Sequence, residues 1–548
     1  MSEASESWGQ RLARGLMGVV FVAYALVCAI LLFVDRNITY WGSNGNVPLL
    51  PNLAVFALIV VGMLLYQILR TKVSAARRIC ALDDKERRAI CILATLALFS
   101  YQVASFYYAG ILTGWDVGGL RRVSVFPSPI SQTLPAVDWA YLYFSRYPNN
   151  LLLLILLRAQ DHIRAVAMPS ISPGVFYALV SMLLVSISFY LFTRVSARLF
   201  GRGRLSVAAD VVFLVLAGLS PWYMIPYSDT YGLFLCTLML CILVCYHNSV
   251  PALIVFGLLC AVGYNIKPTC IFIIISVCLS WLLESLGTGT LHRAVTDIVV
   301  IMVAFVVSLG VVNVTTGRLG ISWDENARFT ATHFAMMGLN DDTDGAYSAD
   351  DVELSIAQPT VEAREKVNKT VIRERLEAYG PIGLAKHLIK KVLACFNDGT
   401  FTWGFGGEFF YETIGTASND SSNFFHYMYP SDSSTGLTPY RVFCTIEQIL
   451  WIICLMGIPL GILCPKKNQH STGRDEGGAG SSMAIWLVIA YCVGAMLLFL
   501  LVFETRARYL YLYSGYFVLL GMHGYQQARI RLGAWHKNRL QELSHQGL

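Results

Sequence analysis

Residues 89–119 have the sequence AICILATLALFSYQVASFYYAGILTGWDVGG. The first part, from about residue 89 to residue 112, is an apolar run long enough to cross a lipid bilayer as a helix. The carboxylate of Asp116 follows this run at once, within a short stretch rich in Gly and Trp. Trp115 is typical of the membrane interface, because its ring is stable at the level of the lipid headgroups. The stretch therefore predicts a membrane-spanning helix that delivers an acidic residue to the rim of the bilayer.

Long apolar runs of this kind recur along the whole chain. Hydrophobic residues make up 55% of the 548 residues and charged residues 14%, so we predict an all-α polytopic membrane protein. The run from Leu16 to Val34 is too long for a signal-peptide h-region and lacks a cleavage site after it, so we expect a retained span. Lys and Arg cluster at the ends of the runs, which explains the net charge of +6 by cytoplasmic loops and speaks against a nucleic-acid partner. Most of the 14 cysteines fall inside apolar runs, so no disulfide framework is predicted.

The distribution of basic residues predicts that both termini are cytoplasmic. The connector 70–88 carries seven basic residues against three acidic ones, which assigns it to the cytoplasm and directs the span at 89–112 outward. Residues 149–166 contain an apolar stretch of only about ten residues, and we expect a helix in the outer interface there. If this stretch crossed the membrane, four arginines between residues 194 and 204 would lie outside. Twelve spans result, at about residues 16–34, 52–69, 89–112, 175–193, 205–224, 230–247, 251–265, 270–284, 296–312, 443–464, 484–503 and 508–526.

These spans divide the chain into four parts. Residues 1–88 form an N-terminal pair of transmembrane helices, and residues 89–312 form a membrane module. Residues 313–442 form a polar, mainly helical segment of domain size outside the membrane. Residues 443–548 form the last three spans and a cytoplasmic tail.

Ionisable residues occur at the predicted outer ends of four separate connections. Charged groups are costly so close to lipid, so we expect them to share one polar cavity. Two carboxylates, one Lys and two Arg suit a ligand that carries phosphate and reacts with a base. The two carboxylates are Asp116 and Asp229, the basic residues are Lys267, Arg506 and Arg508, and Glu504 is a further ionisable residue at the same end.

Simpler alternatives stay open for each of them. Asp116 could merely end a helix, and Lys267 could extend its amine to the interface while its stem stays in lipid. Asp229 could cap the helix that follows it. The arginines of residues 504–509 could only pair with Glu504.

Two features of the polar segment also allow a structural interpretation. His333 could pack or cap a helix rather than take part in chemistry. The run DDTDG at 341–345 suggests calcium, but it lacks the full twelve-residue ligand pattern and is typical of a solvated turn.

The order of short motifs resembles the C-type (GT-C) integral membrane glycosyltransferases, which use polyprenyl-phosphate-linked sugars, and in particular a group from Gram-positive bacteria. The likeness covers most of residues 89–526 and depends on the order and common face of the motifs. The matching motifs are GWD (114–116), SRYPNN (145–150), YSDTY (227–231), IKPT (266–269), HFAMMGLN (333–340) and RARY (506–509).

The resemblance implies a role for several residues. In that family an acid of the first external loop is the catalytic base, a second acid assists, and basic residues hold the lipid phosphate. Carried over by position, Asp116 is the base, Asp229 is an auxiliary acid, and Lys267, Arg506 and Arg508 bind the donor phosphate. Further candidates for substrate binding are Tyr108, Trp115, Tyr147, Asn149, Tyr231, Tyr264, His333, Glu504 and Tyr509, with Tyr107 and Tyr227 as additional aromatic residues near the sugar.

The expected reaction is an inverting displacement at the anomeric carbon of the sugar. Asp116 would deprotonate an acceptor hydroxyl while the polyprenyl phosphate leaves. The acceptor would be a cell-envelope glycan, lipid or protein. No nucleotide-binding glycine fingerprint and no HExxH pair occur in the sequence, and a divalent metal is the one cofactor left open.

Two other functions stay open. A transporter or flippase of a lipid-linked glycan would bind the same phosphate without chemistry, and a polymerase would join lipid-linked oligosaccharides. A transporter predicts ionisable residues near the bilayer midplane, whereas the residues selected above lie at the outer rim.

The topology can be tested by cysteine labelling from outside the cell. A membrane-impermeant thiol reagent is expected to label Asp344→Cys but not Arg202→Cys, because the first lies in the predicted outer segment and the second in a cytoplasmic loop. Labelling at position 202 without labelling at position 344 would overturn the topology and place the motifs on mixed faces.

Overall fold

The computed structural model describes residues 7–34, 50–69, 83–126, 139–201, 203–247, 249–319, 324–404, 412–413, 424–429, 438–463 and 479–545. Within these ranges the chain is almost entirely helical, which confirms the all-α prediction. The exception is a pair of two-residue antiparallel strands, β1 (Ile111–Leu112) and β2 (Glu412–Thr413). Eight basic residues in the predicted cytoplasmic loops between spans lie outside the described residues, namely Arg70, Lys72, Arg77, Arg78, Arg202, Lys466, Lys467 and Arg474.

The membrane part and the polar segment are built from helices of very different length. In chain order the α-helices are α1 (Trp8–Phe33), α2 (Asn52–Leu69), α3 (Asp84–Ala109), α4 (Asp116–Ser124), α5 (Trp139–Arg146), α6 (Leu151–Ala167), α7 (Pro173–Phe200), α8 (Arg204–Phe213), α9 (Ser228–Tyr246), α10 (Val250–Ile266), α11 (Ile271–Ser285), α12 (Leu291–Gly317), α13 (Ala331–Gly338), α14 (Ala349–Ile356), α15 (Val361–Phe396), α16 (Phe424–Met428), α17 (Pro439–Gly457), α18 (Ala479–Val502) and α19 (Ser514–His545).

Eight helices in the described part of the chain are long and apolar enough to cross a membrane. They are Trp8–Phe33, Lys85–Ala109, Pro173–Phe200, Ser228–Tyr246, Pro268–Ser285, Leu291–Gly317, Pro439–Leu463 and Met483–Val502. A multi-pass membrane protein is thereby confirmed, and each of the eight overlaps a predicted span.

The other four predicted spans are not among these eight helices. Helix α2 runs over Asn52–Leu69, the same residues as its predicted span, and Val250–Ile266 is an apolar helix of 17 residues. The region predicted as 205–224 is interrupted, because α8 gives way to a π-helical turn at Leu214–Gly218 and a 3₁₀ turn at Pro221–Met224. The last predicted span begins as the 3₁₀ turn Ala507–Tyr513 and continues into α19. Within the described residues eight spans are confirmed by length and composition, and the count of twelve stays a prediction.

Helix α12 illustrates how the bundle faces lipid. A row of its valines is exposed on one side, while Ile301, Phe305 and Val312 are buried against neighbouring helices. A continuous apolar face without a protein partner is stable in lipid and unstable in water. The exposed residues of this face are Val295, Val299, Val303, Val306, Val307, Val311 and Val314.

Residues 149–166 form a helix, as predicted. A 3₁₀ turn at Pro148–Asn150 leads into α6, whose first four leucines are buried, while Arg164 near its end pairs with Asp161 at 2.7 Å. The predicted domain boundaries fall a few residues inside helices, because α3, α12 and α17 each run across one of them.

The described part of the polar segment is mainly helical and contains α13 to α16. Helix α15 bends where Gly380 adopts a positive φ of 53° directly before Pro381. The run 341–345 is a turn after α13, and Lys390 lies 3.1 Å from the carboxylates of both Asp341 and Asp344. This ion-paired arrangement favours the solvated-turn interpretation over a calcium loop.

Lys391 joins the polar segment to the membrane bundle through two hydrogen bonds. Its buried Nζ donates to the carbonyl of Gly338, the last residue of α13, at 2.7 Å and to the carbonyl of Phe503, just beyond α18, at 2.8 Å. Carbonyls at a helix C-terminus lack intrahelical donors and carry partial negative charge, so one ammonium group satisfies two helix ends. A Cβ on Gly338 would lie 2.6 Å from the carbonyl oxygen of Val502, so only glycine allows these ends to approach.

Lys391 gives the stability of the protein a specific pH dependence. Burial lowers the pKa of Lys391 to about 8 from its ordinary value of 10.5. Between pH 8 and pH 10.5 the unfolded state therefore binds a proton that the folded state has released, and folding becomes more favourable as the pH rises. We expect the melting temperature of the wild type to rise relative to that of Lys391→Met between pH 8 and pH 10.

The neighbouring Lys390 provides a matched control. Its pKa is raised by hydrogen bonding to Asp341, so it stays protonated in both states over this range. The difference in melting temperature between the wild type and Lys390→Met should thus stay constant between pH 8 and pH 10. If the difference in melting temperature between the wild type and Lys391→Met is also independent of pH, the pKa of Lys391 is not lowered in the folded state.

Candidate functional site

A cavity of about 1400 Å³ lies at one end of the helical bundle, beneath the polar segment. The ends of α10, α12 and α18 contribute to its wall, together with the start of α4 and the turn before α6. Residues 325–331 of the polar segment also line it. The helix ends that the sequence predicted to share one face therefore do meet in one cavity.

Asp116 lies at the N-terminus of α4 and lines this cavity. The start of a helix favours a carboxylate, because its backbone N–H groups carry partial positive charge. Tyr227, the residue before α9, donates its hydroxyl hydrogen to Asp116 Oδ2 at 3.0 Å. Burial first, and then the Asp116 carboxylate, raise the pKa of Tyr227 well above its ordinary value of 10.0. Tyr227 thus remains protonated and acts as a donor to Asp116.

Lys267 and Asp229 form a buried ion pair of 2.8 Å between Nζ and Oδ1. Lys267 follows α10 and lines the cavity, whereas Asp229 in the first turn of α9 is completely buried behind it. Desolvation by burial lowers the pKa of Lys267, although the Asp229 carboxylate opposes the shift. The prediction that Asp229 reaches the substrate as an auxiliary acid is not supported by this geometry, because Lys267 stands between Asp229 and the cavity.

Residues 504–509 and Lys267 form one wall of the cavity, which we call the cationic wall. Glu504 accepts a hydrogen bond from the Tyr509 hydroxyl at 2.9 Å and lies 3.9 Å from Arg506 Nε. Arg508 makes no ion pair with a carboxylate of the described residues, and its guanidinium carbon lies 5.1 Å from the centroid of the Trp115 ring. The Tyr509 ring also faces Lys267 Nζ at 4.5 Å. The predicted Glu–Arg pair therefore forms with Arg506, while Arg508 keeps donors available for an anion.

A strained loop fixes the backbone at Arg508. Its N–H donates to Thr402 Oγ1 at 3.1 Å, and Thr402 has a φ of 82°, which is unusual for a residue other than glycine. The carboxylate of Asp398 holds this loop by accepting the N–H groups of Thr400 and Thr402 at 2.8 and 2.6 Å. Strained residues of this kind persist where the surrounding structure over-determines them.

Most of the predicted substrate-binding residues line the cavity, and four do not, namely Tyr107, Tyr108, Tyr231 and His333. The residues at the cavity wall are Trp115, Asp116, Tyr147, Asn149, Tyr264, Lys267, Glu504, Arg506, Arg508 and Tyr509. Tyr108 lies on the surface of α3, where its ring stacks on Phe425 at 6.0 Å. Tyr231 is buried and accepts a hydrogen bond from Gln160 at 2.7 Å.

His333 is also placed away from the cavity. It is buried in the polar segment, where its ring stacks on Phe329 at 4.0 Å and Nδ1 lies 2.7 Å from the Ser355 hydroxyl. Burial lowers the pKa of His333 to about 4, so it is neutral at neutral pH. The packing interpretation of this histidine is the one that the structure supports.

Several cavity residues were not selected from the sequence. Tyr143, Arg146 and Asn150 lie in or near the SRYPNN motif, so the motif itself was a usable signal. Tyr347 and Thr402 belong to the polar segment and carry no recognisable motif. Within the described ranges no group of three His, Cys, Asp or Glu residues could hold a metal ion.

Comparison with known proteins gives one match. A family model described as "conserved hypothetical integral membrane protein" matches residues 15–529. No curated protein and no solved structure matches the chain.

Proposed function

The chain belongs to the conserved hypothetical integral membrane protein family, and we propose that it is a GT-C-type membrane glycosyltransferase. It would transfer a sugar from a polyprenyl-phosphate donor to an acceptor hydroxyl at the extracytoplasmic face of the cell membrane. The observation that carries this proposal is one cavity with a carboxylate, Asp116, and a cationic wall of Lys267, Arg506 and Arg508.

The proposed chemistry is a single displacement. Asp116 accepts the proton of the acceptor hydroxyl, and the acceptor oxygen attacks the anomeric carbon of the sugar. The bond between that carbon and the phosphate oxygen breaks, and polyprenyl phosphate leaves with the electron pair. Attack from the side opposite the leaving group inverts the anomeric configuration. Lys267, Arg506 and Arg508 stabilise the charge on the departing phosphate.

The size of the cavity supports a reaction with two substrates. Pockets for one drug-sized ligand are typically about 300–1,000 Å³. The cavity here has a volume of about 1400 Å³. It is bounded by membrane helix ends on one side and by the polar segment on the other, which suits a lipid-borne donor and an acceptor that enters from the aqueous side.

A transporter or flippase of a lipid-linked glycan is the second candidate, and a glycan polymerase would use a similar cavity. The observation that favours the transporter is an acidic residue inside a span. Glu447 is completely buried within the span Pro439–Leu463. Its only described hydrogen bond comes from Trp403 Nε1 at 3.0 Å, and it does not line the cavity. A buried acid in a span is expected of a translocation pathway. The ionisable residues of the cavity lie at helix ends and not within the spans, and this position favours the enzyme over the transporter.

Two variants should have different effects, one on the rate of sugar transfer and the other on donor binding. Asp116→Asn is expected to lower sugar transfer by at least about 100-fold with donor affinity close to the wild type, because the amide cannot accept the proton. Arg508→Ala should weaken donor binding by roughly 10- to 100-fold, which corresponds to about 1.5–3 kcal/mol for one charge-assisted contact. Both quantities can be measured on purified protein in detergent with a synthetic polyprenyl-phosphate sugar.

The lysine needs a paired substitution. Lys267→Ala alone would leave Asp229 buried and unpaired, so the double variant Asp229→Asn/Lys267→Met tests the phosphate contact with less risk to the fold. Asp342→Asn and Lys386→Ala, at exposed positions outside the cavity, are the controls. Sugar transfer by Asp116→Asn at close to the wild-type rate would exclude Asp116 as the base. Unchanged donor affinity in Arg508→Ala and in Asp229→Asn/Lys267→Met would exclude Arg508 and Lys267 from the phosphate site.

A further inference from the structure

A second set of basic residues lines the cavity, on other elements than the cationic wall. Arg146 is the last residue of α5 and belongs to the SRYPNN motif, and Arg328 belongs to the polar segment. Arg146 is half-buried and Arg328 is exposed. Neither guanidinium makes a hydrogen bond or an ion pair with another of the described residues. We call these two residues the arginine pair, and both keep their donors available for an anion in the cavity.

Backbone and ring contacts hold the arginine pair at the same part of the cavity. The N–H of Phe329 donates to the carbonyl of Arg146 at 3.2 Å. The rings of Tyr147 and Phe329 pack edge to face, with their centroids 5.4 Å apart. Residues 146–147 of the motif therefore lie directly against residues 328–329 of the polar segment, and the two arginines are neighbours in space although they are far apart in the chain.

A third arginine fixes the backbone that carries Arg328. Arg364 is 3% exposed and donates to the carbonyls of Asn326 and Arg328 at 2.7 and 3.1 Å. It also donates to the carbonyls of Ser355 and Gln358 at 2.7 and 3.0 Å. A guanidinium group has five N–H donors, so these four bonds leave Arg364 little capacity for a ligand. Arg364 thus has a structural role, and Arg328 is the arginine that this turn presents to the cavity.

Two glutamates on the same side of the cavity do not neutralise the arginine pair. Glu325 and Glu362 line the cavity and are exposed. Glu362 lies in the first turn of α15, where backbone N–H groups favour a carboxylate. Across the described ranges, neither glutamate forms an ion pair with Arg146 or Arg328. The positive charges of the arginine pair are therefore not engaged by a carboxylate of the protein.

We propose that the arginine pair is a second anion-binding subsite, and that the acceptor is a glycan that carries a phosphate or carboxylate group. This inference rests on the proposed function, in which the cationic wall holds the donor phosphate and the second set of cations is left for the other substrate. Guanidinium groups suit both anions, because their planar N–H donors match the spacing of two phosphate or carboxylate oxygens.

The surroundings of the arginine pair favour a glycan over a lipid as the acceptor. Tyr147 and Tyr347 contribute aromatic rings to this side of the cavity, and Asn149 and Asn326 contribute amide groups. Aromatic rings pack against the apolar faces of sugars, and amides donate to and accept from sugar hydroxyls. These residues belong to the motif turn and to the polar segment rather than to the apolar spans, so this side of the cavity suits a water-soluble chain.

Equilibrium binding tests the subsite without any turnover. Radiolabelled glucose 6-phosphate is dialysed against purified full-length protein in detergent. Arg146→Gln/Arg328→Gln is expected to weaken its binding by at least about tenfold, as for the loss of a charge-assisted contact. Arg508→Ala changes the cationic wall instead and should leave this binding within about twofold of the wild type. Arg373→Gln removes an exposed arginine of α15 outside the cavity and is the matched control, which should bind as the wild type does.

Three further probes define the chemical class of the acceptor. Glucose lacks the anion and should bind at least about tenfold more weakly than glucose 6-phosphate. Glucuronate carries a carboxylate in place of the phosphate, so the tighter of the two anions identifies the charged group of the acceptor. Glycerol 3-phosphate has the phosphate without the sugar ring and should bind more weakly than glucose 6-phosphate. Equal affinity for these two phosphates would overturn the glycan and indicate a lipid headgroup.

Two other results would overturn the subsite. One is that both anionic sugars bind no more tightly than glucose, or equally well in Arg146→Gln/Arg328→Gln and the wild type. The other is that this double variant weakens binding of synthetic polyprenyl diphosphate but not of glucose 6-phosphate, which would assign the arginine pair to a second phosphate of the donor.

The subsite and the proposed function can fail separately. If anion binding changes as expected and the wild type transfers no sugar, the subsite stands and the glycosyltransferase proposal fails. If the wild type transfers sugar and anion binding is unchanged in Arg146→Gln/Arg328→Gln, the glycosyltransferase proposal stands and the subsite fails. If both hold, the double variant should raise the KM for the acceptor by at least about tenfold and leave the KM for the donor unchanged.

Discussion

The buried ion pair between Lys267 and Asp229 is the interaction on which the site depends. Neither charge would be stable alone at this depth, and their 2.8 Å contact joins the end of α10 to the start of α9. Lys267 in turn faces the ring of Tyr509, and Tyr509 donates to Glu504. One internal charge pair thereby sets the position of the wall that faces Asp116.

The polar segment completes this wall from the other side. Lys391 and the backbone N–H of Thr505, which donates to the Gly345 carbonyl at 2.7 Å, attach residues 503–505 to the polar segment. The loop held by Asp398 supplies the Thr402 contact to Arg508. The cationic wall is thus held by membrane helices on one side and by the polar segment on the other, so a change in either is expected to alter the cavity.

The sequence predicted well which helix ends meet and poorly which side chains pair. Hydropathy and basic residues place the ends of α10, α12 and α18 together, because length and charge are read directly from the chain. Hydropathy and the distribution of basic residues do not tell how a helix is rotated about its axis. Asp229 was therefore predicted to line the cavity, although it lies behind Lys267. The same limit explains Tyr231, which occupies the neighbouring turn of α9 and is buried against Gln160. The interruption at Leu214–Gly218 depends on packing and was missed because that stretch is as apolar as its neighbours.

The most direct test of the central claim uses purified protein in liposomes with a synthetic polyprenyl phosphate that carries a radiolabelled sugar. If the cavity is the active site of a glycosyltransferase, the bond between sugar and phosphate will break, and the label will move to an added cell-envelope acceptor fraction in the wild type but not in Asp116→Asn. Movement of the intact labelled lipid from one leaflet to the other, with no cleavage and no dependence on Asp116, would contradict the account and identify the protein as a transporter.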